Sequence, residues 1–298
     1  MKALVTGGSG FIGSNLVDRL IDLNWEVVVI DNQSADCNEK FYINPKAENH
    51  KLDVCDYEFT RDLYDGVDYV FHLAAESRLQ PAIENPINAV VKNAVGTCTV
   101  LQCAREAGVR KVIYSSTSSA YGLNKFPNVE TDPNDCLNPY SVSKVSGEDL
   151  CRMYTKLYGL KTITFRYFNV YGERSPTVGQ YSPVIGIFLK QRDQGKPLTV
   201  VGDGSQRRDF VHVDDVASAN ILAAISENID EEYYGQIFNI GSGKNISVLE
   251  IAESISDNIV FIPERSGEAK TTLADITKAQ TVLNWNPNID LKEWISKQ

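Results

Sequence analysis

The chain has 298 residues, 43% of them hydrophobic, with a net charge of −10. That length and apolar content suffice for one large α/β domain, or for a larger and a smaller lobe around buried cores. The negative balance excludes a nucleic-acid surface, which needs clustered Lys and Arg, but leaves room for a phosphorylated small molecule held by a few converging arginines.

The chain opens directly on a strand-like run, Met1 to Thr6, so no signal peptide is expected. From there Lys2–Val5, Glu26–Ile30, Tyr69–Leu73, Lys111–Tyr114 and Thr162–Arg166 read as buried strands. Between them Gly13–Leu23, Tyr57–Leu63, Ile87–Ala107 and Tyr140–Tyr158 carry apolar residues at helical spacing. Strand–helix alternation predicts an α/β fold with a doubly wound parallel sheet of Rossmann type. After about Arg166 the rhythm weakens into Gly- and Pro-rich loops mixed with shorter elements. Residues 1–166 therefore read as a dinucleotide-binding domain, and 167–298 mainly as a substrate lobe with some segments returning to the main domain. Ligands of open α/β sheets bind past the carboxyl ends of the strands, where such a lobe would close over them.

The first strand runs into Thr6-Gly7-Gly8-Ser9-Gly10-Phe11-Ile12-Gly13 and then an amphipathic helix. Gly7 permits a tight turn, Gly10 a close approach to a pyrophosphate, and Gly13 close helix–strand packing. The amides at the helix start, by Phe11 and Ile12, would face the phosphates. The second strand ends at Asp31-Asn32, where an acidic residue can accept from ribose hydroxyls and would repel a 2′-phosphate, which favours NAD over NADP. Leu52-Asp53-Val54 follows a short strand; Asp53 could accept from the adenine amino group or could simply belong to a strand-end turn.

A phenol becomes a base near neutral pH only if positive charge stabilises its phenolate, and Tyr-x-x-x-Lys sets the two side chains on one face of a helix. Three matches occur: Tyr42/Lys46, Tyr121/Lys125 and Tyr140/Lys144. Pro45 separates the first pair, and Gly122 and Asn124 place the second in a loop. Only Tyr140 opens a long helical pattern, with Asn138 as cap and Pro139 in the first turn. Upstream, Ser115-Ser116-Thr117-Ser118-Ser119 forms a hydroxyl cluster at a strand's carboxyl end, suited to bonding a reacting oxygen or to a solvated turn.

These strings, together with His72-Leu73-Ala74-Ala75, Arg166-Tyr167-Phe168-Asn169, Arg208-Asp209-Phe210 and Pro263-Glu264-Arg265, run in an order that resembles the extended short-chain dehydrogenase/reductase family. Within it the likeness is to UDP-glucose and UDP-N-acetylglucosamine 4-epimerases. The resemblance implies Thr117, Tyr140 and Lys144 as catalytic residues. It implies a cofactor site that includes Leu73, Ala74, Ala75, Asn93, Ser115 and Tyr167. Asn169 would touch substrate, beside Ser118 and Ser119, and Arg208 and Arg265 would clamp its diphosphate. Thr272 would leave room for an N-acetyl group where a large aromatic would exclude one. The implied reaction inverts C4 of a UDP-hexose through a 4-keto intermediate: Tyr140 takes the O4 proton and NAD stays bound. Relatives that go on to react at C5 and C6 carry an acid after Thr117; here Ser118 and Ser119 stand instead.

Two alternatives stay open at this stage. One is epimerisation of a uronic acid or a non-UDP sugar, the other a non-catalytic NAD sensor. The resemblance also implies a homodimer built on Ile87–Ala107 and Tyr140–Tyr158. No apolar run reaches the roughly 18 residues of a membrane span, so no membrane partner is expected. Six scattered cysteines without a C-x-x-C pair, and three histidines, point to reduced thiols in a cytoplasmic enzyme and to no metal site.

Overall fold

The computed structural model describes residues 1–35, 40–177, 183–227, 229–263 and 270–298. Its centre is a seven-stranded sheet, built from strands β1 (Lys2–Thr6), β2 (Glu26–Ile30), β3 (Glu48–His50), β4 (Tyr69–His72), β5 (Lys111–Thr117), β6 (Thr162–Tyr167) and β10 (Gln236–Ile240). Every pairing in it is parallel, in the order β10-β6-β5-β4-β1-β2-β3. Parallel strands are buried on both faces, and the sequence obeys this: Ala3, Val5, Val27 and Val29 enter one core layer, Leu4, Val28 and Ile30 the other. Helices Phe11–Asp22 and Val213–Ile225 cover the first layer; Gly96–Glu106 and Pro139–Tyr158 cover the second. Each buried aliphatic side chain stabilises this arrangement by about 1.5–3 kcal/mol.

The smaller lobe joins β7 (Asn169–Tyr171), β9 (Arg207–His212) and β11 (Asn245–Ser247) in one sheet, and β8 (Leu198–Val201) with β12 (Ile259–Ile262) in another. A separate core lies beneath them, with Phe188, Leu198, Val200, Phe210, Ile251 and Ile295. The chain crosses between the lobes more than once, since β10, helix Val213–Ile225 and Trp285 all pack in the main body.

The five predicted strands are present to within three residues at each end. The predicted helix Ile87–Ala107 is a composite: α-helix Pro86–Val90, a π-turn Val91–Val95 and α-helix Gly96–Glu106, preceded by a further helix Leu79–Glu84. The π-turn carries Asn93 into the protein interior, and such turns concentrate at functional sites. Among the described residues, no helix is long and apolar enough to cross a membrane. Cys55, Cys98, Cys103, Cys136 and Cys151 are free thiols.

Candidate active site

The register brings the carboxyl ends of three strands level, with a fourth, β5, running on beyond them: Ile30 pairs Thr6, Thr6 pairs His72, and His72 pairs Tyr114. Farther along the same edge Thr117 pairs Tyr167. The Gly7–Gly13 turn, Asp31, Leu73–Ala75 and the Ser115–Ser119 cluster therefore share one rim of the sheet.

The turn after β1 is packed so tightly that only glycine fits. Gly7 has φ +71°, and a Cβ there would lie 2.8 Å from the Ala74 amide nitrogen; a Cβ on Gly13 would lie 2.1 Å from the Gly7 carbonyl oxygen. The helix that follows starts with no side-chain cap and no acidic residue in its first turn, which leaves its amides for an anion. Asp31 accepts from the Ser9 amide at 2.9 Å and the Gln33 amide at 2.7 Å, so its carboxylate is fixed at the end of β2 with lone pairs to spare for hydroxyls. This cradle fits a dinucleotide.

Thr6 ties the rim together. Its Oγ1 accepts from the Leu73 and Ala74 amides at 3.1 and 3.2 Å and meets His72 Nδ1 at 2.7 Å. Thr97 Oγ1 donates to the Asn93 carbonyl, so it accepts from His72 Nε2 at 2.9 Å. His72 is thus the Nε2–H tautomer. Burial, with Lys144 adding to it, pushes its pKa down to about 3 and keeps it neutral.

Tyr140 stands in the first turn of helix Pro139–Tyr158, which Asn138 caps by accepting from the Ser141 amide at 2.9 Å; Gly159, at φ +70°, ends it. Such a cap contributes about 1 kcal/mol. Thr117 lies close enough to the Tyr140 phenol for its side chain to act on the phenol's pKa, holding it down. The other Tyr-x-x-x-Lys pairs are not helical, and Tyr121 is spent on Asn239 at 2.6 Å. Lys144 is buried with its ammonium 4.4 Å from the centre of the Tyr114 ring, and the Tyr114 hydroxyl donates to the Lys144 carbonyl at 3.1 Å. Gly147 permits this contact, because a Cβ there would meet the Tyr114 hydroxyl at 2.2 Å.

The charge states depart from the simple expectation of a lysine-lowered phenol. Burial raises the Tyr140 pKa; the Thr117 hydrogen bond opposes that, and the charge of Glu76 adds to it. Burial also pushes Lys144 down to about 7, against the pull of Cys151 and Glu148. Both groups are thus driven toward neutrality, and the phenolate depends on positive charge arriving with the cofactor.

Several sequence-predicted residues serve the site indirectly. Asn93 is fully buried: its Oδ1 accepts from the Glu76 amide at 2.7 Å, while Nδ2 donates to the Glu76 carbonyl and to Ser143 Oγ, both at 2.9 Å. It braces the site rather than facing a cofactor with a free donor. Tyr167 is likewise buried, receiving Ser115 Oγ at 3.0 Å and Asn220 Nδ2 at 2.7 Å. Asp53 pairs with Lys92 and accepts from Asn32 and the Cys55 amide at 3.0 Å each, beside buried Val54. Burial would raise its pKa, but these donors outweigh it and hold it at about 2. Sequence reading left Lys92 unremarked; only the fold brings it to Asp53.

Ser118 and Ser119 form a 3₁₀ turn that Thr117 caps by accepting from the Ser119 amide at 3.1 Å. On the smaller lobe, Asn169 Nδ2 donates to the Asp209 carbonyl at 2.8 Å and to Thr272 Oγ1 at 3.3 Å, so two predicted substrate residues meet. Arg208 reaches the Arg207 and Lys270 carbonyls at 3.1 and 3.0 Å. Arg265 lies outside the described residues. Asp209, which sequence reading passed over, is buried and accepts from Ser242, Gly243 and Ala274, pinning the loops on which Thr272 sits.

A parallel sheet with a glycine turn, an acidic residue after β2 and a Thr–Tyr–Lys group at one rim defines a dinucleotide-dependent enzyme of the Rossmann class. Sequence comparison agrees: the chain belongs to the NAD dependent epimerase/dehydratase family, whose model matches residues 3–241. NAD is its cofactor. The UDP-glucose 4-epimerase of Mycolicibacterium smegmatis is 36% identical, over all of this chain and 97% of its own length. Among solved structures, UDP-glucose 4-epimerase of Thermotoga maritima with UDP-glucose has a TM-score of 0.91 at 34% identity, covering 99% of this chain and 96% of its own. The UDP-N-acetylglucosamine 4-epimerase of Methanobrevibacter ruminantium, in complex with UDP-N-acetylmuramic acid, also has a TM-score of 0.91, at 32% identity over 99% of this chain and 95% of its own.

Proposed function

We propose that this chain inverts C4 of a UDP-hexose, either plain or N-acetylated. The observation that carries this reading is the Tyr140 phenol set beside Thr117 at the sheet rim, on a capped helix with Lys144 one turn on, and with serines rather than an acid at 118 and 119. Bound NAD supplies a hydride acceptor and donor that is restored at the end of each turnover. The chain's own part is to hold the sugar and move one proton. Tyr140, as the phenolate, takes the O4 proton with Thr117 as relay and becomes the neutral phenol, and Lys144 offsets the phenolate charge that precedes this transfer. Asp31 and the Gly7–Gly13 turn hold the dinucleotide, with Leu73–Ala75 lining it. Asn169, Arg208, Arg265 and Thr272 hold the nucleotide sugar.

Thr272 turns its hydroxyl to Asn169 and the Asp209 amide rather than filling space with a ring, which supports acceptance of an N-acetyl substituent. The reading is tested by incubating the purified protein, without added NAD, with UDP-galactose, UDP-N-acetylgalactosamine and their gluco forms. Both pairs should interconvert. Interconversion of neither pair ends the reading; interconversion of the plain pair alone ends its N-acetyl part.

A homodimer belongs to the same proposal. Ile83, Ile87, Val90, Val91 and Val95 recur at helical spacing and stay exposed, Ile87 by 77%, and Leu157 on the neighbouring helix is 65% exposed. An apolar stripe of this kind on adjacent helices marks an interface. Ile87→Asp should convert the dimer to a monomer in analytical ultracentrifugation. A monomeric wild type at micromolar concentration would remove the proposal.

A further inference from the structure

Tyr114 lies on β5, fully buried, in the core layer that helix Pro139–Tyr158 covers. Its contacts converge on Lys144. The Lys144 ammonium stands 4.4 Å from the centre of the ring, over its face, and the Tyr114 hydroxyl donates to the Lys144 carbonyl at 3.1 Å. Gly147 leaves the hydroxyl room to do so, since a Cβ there would lie 2.2 Å from it. His72 on β4 stacks against the same ring, 5.5 Å between centres and 29° between planes. Glu148, the acid one turn beyond Lys144, is engaged by Arg166 at 2.6 Å. A ring face, rather than a carboxylate, thus meets the ammonium.

We infer that Tyr114 is a positioning residue, whose ring face holds the Lys144 ammonium charged and in place one helical turn from Tyr140. The inference rests on the reading that Lys144 offsets the Tyr140 phenolate. A buried ammonium needs an electrostatic partner to replace the water it has lost. A carboxylate would supply one, but its negative charge would oppose the phenolate that Lys144 serves. The ring avoids that conflict: its quadrupole attracts the cation and adds no net charge to the site. The same arrangement requires a neutral His72, because an imidazolium on that ring would repel the ammonium. The ionisable groups around Lys144 are Tyr140, Glu148 and Cys151 on its own helix, Tyr114 on β5 and His72 on β4. Thr97, which reaches His72 from helix Gly96–Glu106, is neutral. Burial already lowers the Lys144 pKa to about 7, so weaker attraction by the ring should discharge it at still lower pH.

Tyr114→Phe keeps the ring face and removes only the hydroxyl bond to the Lys144 carbonyl. Tyr114→trifluorophenylalanine keeps the ring's place as well but drains negative potential from its face. For each form of the NAD-loaded protein, NMR of isotope-labelled lysine would read the titration of Lys144, its Cε signal being assigned by its absence from Lys144→Met. The pH dependence of kcat would read the use of that charge. Tyr114→Phe should leave both close to wild type. The fluorinated ring should discharge Lys144 about one pH unit lower and move the alkaline limb of kcat down with it. A purely structural role would change urea unfolding without separating the two rings in the titration. Equal titration of Lys144 with both rings overturns the inference, and so does a shifted titration with an unmoved alkaline limb. A shifted titration in a protein that interconverts no UDP-hexose upholds the ring's hold on Lys144 while ending the epimerase reading.

Discussion

Tyr140→Phe should cost about 10²–10⁴-fold in kcat while leaving the fold and bound NAD in place. The substitution removes one oxygen. Phe keeps the ring in the first turn of helix Pro139–Tyr158, and neither the Asn138 cap nor the Ser143 bond to the Tyr140 carbonyl involves the phenol. What goes is the oxygen that the proposed mechanism needs to take the O4 proton. The loss should fall on kcat, because the phenol acts on the transition state and the clamps on the nucleotide lie on other elements. Cofactor retention, read as NAD released on denaturation, should match the wild type. Turnover within threefold of wild type would remove Tyr140 from the chemistry. Loss of NAD together with activity would instead make it a binding residue.

Much of this site is legible in the sequence because its parts are local. The glycine turn follows β1 directly, Asp31 follows β2, and Asn138-Pro139 announces the helix that makes Tyr140/Lys144 the meaningful pair among three. Capping and turn chemistry act over a few residues, so the reading can use them. What the sequence hides is long-range. A π-turn swings Asn93 into the interior, where it braces Glu76 and Ser143, and an extra residue in a helical turn leaves no periodic signature. Lys92 meets Asp53, and Asp209 meets Ser242 and Ala274, only because the fold brings segments far apart in the chain together. Glu76 shows the boundary well. It sits in the string that marks the rim, but its relation to Tyr140 runs through two side chains from other elements.

Arg166→Met should destabilise the protein by about 3–5 kcal/mol, because it strands a buried carboxylate. Arg166 lies on β6 in an otherwise apolar or small run and is 1% exposed. Its Nε and Nη2 donate to Glu148 at 2.8 and 2.6 Å, and Nη2 also reaches Asn134 at 2.5 Å. Glu148 receives Ser116 Oγ as well, at 2.5 Å, and the guanidinium lies 4.5 Å from the centre of the Tyr121 ring. Burial works against the Arg166 charge, but Glu148 outweighs it and holds the pKa above its ordinary range. The pair thus joins β5, β6 and the helix of Tyr140, with Glu148 one turn beyond Lys144. Removing the cation leaves Glu148 to be buried unpaired or to take up a proton, and either costs stability. The cost should therefore depend on the partner. Arg166→Met combined with Glu148→Gln should recover at least half of the loss in urea unfolding, since no isolated charge remains. A single variant within about 1 kcal/mol of wild type, or a double variant no more stable than the single, would mean that this pair does not hold the helix to the sheet.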